Sequence, residues 1–213
     1  DMAFYGLTFR VYQHGKRQGA DDVAQLLRQG RASITGHQNR ITHWQRLQKI
    51  DDRLLIIDGD ALTENLAIQL WIAREYPVAK LLPADPMQYV KAISLMSFCG
   101  SGIHPHLTPN ARPENYCDLP GSANNVKKVG NRLLFEDFDV TEKMLEGREW
   151  FFDHFTTVDA YFFWCFRRAI SFKLDLSRFG NSMAHLERMH QRASVQKLIA
   201  HEKYVMQVFA NEA

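Results

Sequence analysis

The rhythm of apolar and polar positions changes sharply at one place in the chain. Leu54-Leu55-Ile56-Ile57 is a continuous apolar run, the mark of a buried strand, and Asp58-Gly59 after it is a tight-turn dipeptide. The period then lengthens. Ala67, Ile68, Leu70, Trp71 and Ile72 recur at helical spacing as a wide apolar stripe. Thr63 can cap this helix, and Pro77 stops it.

The residues before this unit alternate strand and helix patterns. Leu7 to Tyr12 alternates as a strand, and His14 to Gly19 is a polar loop. Asp21 or Asp22 opens a helix through Val23, Ala24, Leu26 and Leu27, which Gly30 ends as a C-cap. Ala32 to Thr35 is a second short strand, and Thr42 to Ile50 a short helix with Trp44 and Leu47 inward. The resulting order, strand-helix-strand-helix-strand-strand-helix, fits a thioredoxin-like βαβαββα layer.

After Pro77 the strand signals stop. Val78 to Met87, with Pro83 and Pro86, has the composition of a linker. Gln88 to about Ile103 has the spacing of one long helix, with Tyr89, Ile93, Met96 and Phe98 inward, ending in the run Gly100 to Pro109. Ala111 to Asn125 is rich in Pro, Asn and Gly and forms a loop or broken helix. Val126 to Leu145 is helical again through Val129, Leu133, Leu134, Phe138 and Met144. Thr156 and Asp159 have the spacing of a reciprocal cap, with Asp in place of the usual Glu or Gln. The helix behind them is apolar nearly all round and should cross a core; Asp159→Ala should cost about 1–2 kcal/mol. Leu174-Asp175-Leu176 leads into a last group of helices through Met183, Leu186 and Met189. The expected division is a first domain over 1–77, a linker over 78–87 and an all-helical domain over 88–213.

Composition narrows the function classes. With 213 residues and 46% hydrophobic content the chain can bury real cores, and a net charge of +2 gives no argument for nucleic acid. No apolar run reaches membrane-spanning length, and the opening residues carry no signal-peptide pattern, so a cytoplasmic location without membrane attachment is expected. Three cysteines, Cys99, Cys117 and Cys165, are odd in number and lack metal spacing, which suggests free thiols and no metal site. His104 and His106 bracket Pro105 without a third ligand.

The strand, the Asp-Gly turn, Leu62-Thr63-Glu64-Asn65 and Tyr76-Pro77 together resemble the thioredoxin-like domain of cytosolic glutathione transferases. Farther on, three more segments resemble that family. Leu81-Leu82-Pro83-Ala84-Asp85 is similar to its interdomain segment, and Thr156-x-x-Asp159 to the capping motif of its central C-terminal helix. Arg192-Ala193-Ser194-Val195 is similar to its Arg-Pro-x-Val, with Ala193 at the proline. The run from Gly100 to Pro109 resembles the Leu-His-x-x-Phe-x-Pro segment of the bacterial beta-type enzymes, with His104 at the histidine. The likeness extends from about Thr42 to Leu198, with the landmarks in the family's order.

The resemblance implies an α/β plus all-α architecture: a thioredoxin-like N-terminal domain followed by an all-helical glutathione-transferase C-terminal domain. It implies glutathione as co-substrate, with no other cofactor, and conjugation of its thiolate to a hydrophobic electrophile, a detoxification chemistry. It also implies a homodimer. Glu64 and Asn65 would hold the γ-glutamyl end of glutathione, whose ammonium can pair with Glu64 and whose carboxylate can take Asn65 and the free N–H groups of the helix start. Arg53 and Leu54 fall where the family's backbone meets the cysteinyl part, and His104 where it makes a polar contact in or beside the site. Each has a plainer reading as well: Glu64 as a favourable charge at the helix dipole, His104 as a histidine bonded at a helix end.

The catalytic end departs from the family. Tyr12 falls where tyrosine-type enzymes place the hydroxyl that stabilises the thiolate; its alternative is a core aromatic of the strand. His14 to Gly19, where serine- and cysteine-type enzymes keep their residue, holds no hydroxyl or thiol. Lys16 and Arg17 offer a second route, since a cation near a helix start stabilises a thiolate, and His14 could do the same if protonated. The family's cis-proline is replaced by Arg53, or by Asp52 with a one-residue shift. A non-proline cis bond costs about 3 kcal/mol, so a trans bond or a reshaped turn is expected. These departures leave open a non-catalytic binding protein on the same scaffold. A disulfide-exchange enzyme would need a reactive cysteine near the first helix, and none precedes Cys99.

Overall fold

The computed structural model describes residues 54–57 and 60–211. Tyr12, His14, Lys16, Arg17, Arg53 and the Asp58-Gly59 turn lie outside them, and with them the expected first strands and helices and the bond before Arg53. The chain divides into two compact units, residues 1–68 with 197–213, and residues 69–196.

In the first unit, β1 (Leu54–Ile57) and β2 (Asp60–Thr63) pair antiparallel, with Leu54 opposite Thr63 and Ile57 opposite Asp60. Leu55 is fully buried, as its place in an apolar strand requires. Helix α1 (Asn65–Glu75) follows after one residue; its first turn belongs to this unit and its remainder, from Gln69, to the second, and it ends before Tyr76-Pro77, where a short 3₁₀ turn, Pro77–Ala79, begins. Within α1, Asn65, Ile68 and Gln69 are buried, and the apolar stripe of Leu70, Trp71 and Ile72 is half covered.

The second unit is helical. Helix α2 (Pro86–Phe98) starts earlier than the sequence suggests, because Asp85 caps it: its carboxylate accepts from Gln88 N–H at 2.9 Å, and Pro86 fills the first helical position. Its buried row is Ala92, Leu95 and Met96. Tyr89, expected inward, sits one turn before that row begins and is exposed.

The Gly-Ser-Gly-Ile run does not end the helix. Cys99–Ile103 forms a π-helical segment, and α3 (His104–Ala111) continues directly from it. Pro105 has no N–H to give Ser101, and the wider turn absorbs the mismatch: His104 N–H bonds five residues back, to Cys99 O. Pro109 inside α3 deprives the Pro105 carbonyl of its helical donor, and the Tyr116 hydroxyl donates to that carbonyl instead, at 2.9 Å. Tyr116 follows a 3₁₀ turn, Pro113–Asn115, in the expected loop.

Helix α4 (Ala123–Met144) buries Gly130, Leu134, Phe138 and Thr141. Val129 and Met144, expected inward, are exposed. Gly130 takes the inward place because a Cβ there would lie 2.6 Å from Pro109 Cγ, so only glycine lets α3 and α4 close up. Helix α5 (Thr157–Ser171) carries the core aromatics: Phe162 and Phe166 meet Phe138 with ring centroids 6.2 and 5.1 Å away. Helix α6 (Gly180–Gln191) buries Ser182, His185, Leu186 and Met189. Its own N-cap residue makes no side-chain bond; Glu142 of α4 caps it from outside, accepting from Asn181 N–H and Ser182 N–H at 2.7 and 2.9 Å. Helix α7 (Ala193–Asn211) begins in this unit, and from Lys197 onward it belongs to the first. Among the described residues, no helix is long and apolar enough to cross a membrane.

Candidate functional site

The strand-to-helix junction of the first unit holds the best candidate. Thr63 does not cap α1; it is the last residue of β2, its backbone committed to the ladder opposite Leu54. Glu64 occupies the cap position instead: its carbonyl accepts the Ile68 N–H at 3.0 Å. Its backbone is left-handed, with φ 69°. For a residue with a Cβ that conformation costs about 1–2 kcal/mol. Such strain is held where surrounding structure over-determines it, and it clusters at ligand sites.

The conformation turns the chain from strand to helix in a single residue, leaving the Glu64 side chain exposed and Asn65 buried behind it. The N–H groups of residues 65–67 open the helix and have no acceptor within it. An exposed carboxylate thus stands beside the positive end of a helix, an arrangement complementary to a ligand carrying both an ammonium and a carboxylate. The hairpin sets the Leu54 backbone against Thr63, next to this junction. Of the residues singled out from sequence, these three, Leu54, Glu64 and Asn65, are the ones the described structure brings together.

His104 belongs to the second unit. Its Nδ1 lies 3.2 Å from the Tyr161 hydroxyl, and its ring centroid 4.5 Å from that of Trp164. It is 9% exposed. Sequence reasoning saw Tyr161 and Trp164 only as helix-core aromatics. What joins them to His104 is the π-helical turn, whose signal was glycine and proline spacing read as an end.

Asp159 organises the loop before α5. One carboxylate oxygen accepts from the N–H and the hydroxyl of Thr156 at 2.7 and 3.0 Å, and the Asp159 N–H returns a bond to Thr156 O at 3.1 Å. The other oxygen takes Phe151 N–H and His185 Nε2, both at 3.1 Å. Asp159 and Thr156 are fully buried. Behind the cap and within the second unit, Thr157 donates its N–H to Leu81 O at 2.9 Å and its hydroxyl to Gln69, so the start of α5 ties down both the linker and the part of α1 from Gln69 onward. Neither His185 nor Phe151 was legible as a partner of the cap.

No protein-family model matches the chain. A glutathione S-transferase of Escherichia coli O157:H7, GstA, is 30% identical over 151 residues, covering 70% of this chain and 72% of that protein. The chain belongs to the glutathione S-transferase family. Solved structures agree on the fold. A bacterial beta-class glutathione S-transferase of Sphingomonas chungbukensis is 30% identical, with TM-score 0.61 over 70% of this chain and 72% of the other. A sphingomonad glutathione S-transferase complexed with glutathione matches at TM-score 0.62 and 25% identity, covering 70% and 73%. The ternary complex of BphK, a bacterial transferase, matches at TM-score 0.65 and 22% identity, covering 75% and 78%. This glutathione S-transferase relative therefore has the family's architecture, a thioredoxin-like N-terminal domain and an all-helical C-terminal one. It is a transferase of glutathione-transferase type by that membership.

Proposed function

We propose that the protein binds glutathione at the head of α1 and conjugates its sulfur to a hydrophobic electrophile. The observation that carries the reading is the left-handed Glu64 with Asn65 at a helix start. Glu64 pairs with the γ-glutamyl ammonium, while Asn65 and the N–H groups of the helix start take the carboxylate. The cysteinyl part lies along the Arg53–Leu54 backbone. The relatives support the ligand: one of the similar structures is a glutathione complex.

In the reaction the glutathione S–H gives up its proton and the thiolate forms a bond to an electrophilic carbon; in substitution the leaving group departs with the electron pair of its bond, and in addition the π pair of a conjugated double bond moves to the far carbon, which takes up a proton. The Tyr12 hydroxyl donates a hydrogen bond that stabilises the thiolate; Lys16 and Arg17 add positive potential. Residues 1–77 form the glutathione-binding domain, 78–87 the linker and 88–213 the helical domain. The protein acts in the cytoplasm as a homodimer, to which the exposed Tyr89, Val90, Val129 and Val140 contribute apolar surface.

A second reading, a glutathione-binding protein without conjugating chemistry, is favoured by the absence of any hydroxyl or thiol over His14 to Gly19. Two measurements separate the readings. Glutathione at a hundred times its dissociation constant raises stability by about 2.7 kcal/mol, an easily seen rise in Tm that Glu64→Ala should cut to about half or less at the same concentration. Tyr12→Phe should keep that shift and lose conjugation of an aryl halide. A wild type that shows the shift and no conjugation belongs to the second reading; no shift at millimolar glutathione refutes both.

A further inference from the structure

The linker is held by two successive carbonyls. Leu81 O accepts the Thr157 N–H at 2.9 Å, at the buried start of α5, and Lys80 O accepts from His154 Nε2 at 2.8 Å. All of these residues lie in the second unit. The two holds differ in kind. The first is a backbone bond fixed by the capped helix. The second is a side-chain bond at the surface: the His154 side chain is 34% exposed and that of its neighbour Asp153 86%. Lys80 holds a left-handed backbone, φ 47°, a conformation that a residue with a Cβ keeps where its surroundings impose it.

The second hold requires a particular proton count. His154 also meets Asp153, with Nδ1 2.5 Å from a carboxylate oxygen. A backbone carbonyl has no proton to give, and neither has an ionised carboxylate. Both ring nitrogens therefore face acceptors, and only the imidazolium, with two N–H groups, satisfies both. A neutral imidazole has one N–H and leaves one contact unmade. The carboxylate is the charged and the nearer acceptor, so it keeps the remaining N–H, and the Lys80 carbonyl loses its donor. The other charged groups of the surrounding elements are engaged elsewhere. Arg148 and Arg188 donate to backbone carbonyls of the loop before α5, and Arg192 stacks on the Phe155 ring. His185 and Asp159 bond each other, and Asp85 caps α2. The Lys80 ammonium makes no ion pair among the described residues.

We propose that Asp153 and His154 form a proton-dependent catch on the linker, closed on the Lys80 carbonyl when His154 is charged and open when it is neutral. Leu81 O stays bonded to Thr157, so opening frees the chain on the N-terminal side of that bond, at the left-handed Lys80. Histidine is the side chain that changes charge between pH 5 and 8, and the catch loosens as pH rises through that range.

Trypsin reads the catch directly, because Lys80–Leu81 is a bond it can cut. The readout is the initial rate at which the full chain yields a new terminus at Leu81, followed by mass spectrometry and divided by the rate for a peptide of residues 76–86 at the same pH. In the wild type this ratio should rise about threefold or more from pH 6 to pH 8, the effect of one hydrogen bond on a local opening equilibrium. His154→Ala should be cut fast at both pH values. Asp153→Asn should be cut slowly at both, because its amide N–H₂ can donate to the neutral ring and leave the Nε2–H on the Lys80 carbonyl. Both side chains are at the surface, so the variants should keep the wild-type circular dichroism. A wild-type ratio equal at the two pH values, or a pH dependence that survives in His154→Ala or in Asp153→Asn, would each overturn the proposal.

Discussion

Removing the Asp159 carboxylate should destabilise the second unit far more than an ordinary helix cap does. A cap alone is worth about 1 kcal/mol. Here the same side chain also holds Phe151 N–H and His185 Nε2, each at 3.1 Å, in a fully buried place. Asp159→Ala strands two buried backbone N–H groups, those of Thr156 and Phe151. Each unsatisfied donor costs about 1–3 kcal/mol, and His185 loses its partner besides. The expected loss is about 3–5 kcal/mol, above the 1–2 kcal/mol that the cap spacing alone suggests. For a chain of this size that lowers Tm by roughly 6–20 °C. Urea unfolding followed by tryptophan fluorescence measures it, since Trp150 packs its ring 5.6 Å from that of His185. Thr156→Ser, which keeps both bonds to the carboxylate, should cost little. A loss below about 1 kcal/mol for Asp159→Ala would mean that the loop re-forms its bonds elsewhere, and the account of Asp159 as the organiser of that loop would be wrong.

Gly130→Ala should destabilise by about 1–3 kcal/mol, because the new methyl meets the Pro109 ring at 2.6 Å; adding Pro109→Ala should recover most of the loss, and thermal melts of the single and double variants decide it. Of the three thiols, Cys99 and Cys165 are buried, and burial, reinforced by Asp137 and Asp159, pushes the Cys99 thiol up. The Ser122 hydroxyl, then the Leu119 backbone, holds the Cys117 thiol below its ordinary value. A disulfide reagent should therefore find one fast thiol in the folded protein, Cys117, and Ser122→Ala should move the midpoint of its pH–rate profile upward; two or three fast thiols, or an unmoved midpoint, would contradict this.

What the sequence revealed and concealed follows from which signals are local. The β1–β2 pair, α1 and its stop at Pro77 are set by apolar runs and turn residues close together in the chain, and they are found where those signals put them. The Thr156–Asp159 pair is legible for the same reason, since both partners are three residues apart. The position of Glu64 was not. Thr63 is the better capping residue by preference, but the ladder opposite Leu54 holds it in the strand, and only the backbone angle reveals that glutamate takes the left-handed turn. The passage through Pro105 and Pro109 was misread as a helix end because proline normally ends one. Its survival depends on a π-helical turn and on a hydroxyl from Tyr116. Gly130 and Thr141 were missed as core positions because a search for apolar side chains passes over glycine and threonine. The candidate site was legible only in part, since Glu64 and Asn65 are neighbours in sequence while Leu54 joins them only through the register that sets it opposite Thr63.

The most direct measurement of the central claim compares reduced glutathione with its fragment Cys-Gly by calorimetry, on the wild type and on Glu64→Ala. If Glu64 and the start of α1 hold the γ-glutamyl end, the wild type binds glutathione clearly and Cys-Gly weakly. Glu64→Ala then lowers glutathione affinity by about ten- to a hundredfold, the worth of one charge-assisted hydrogen bond, and leaves Cys-Gly unchanged. Equal glutathione affinity in the wild type and Glu64→Ala would contradict the account and remove the strand-to-helix junction as the binding site.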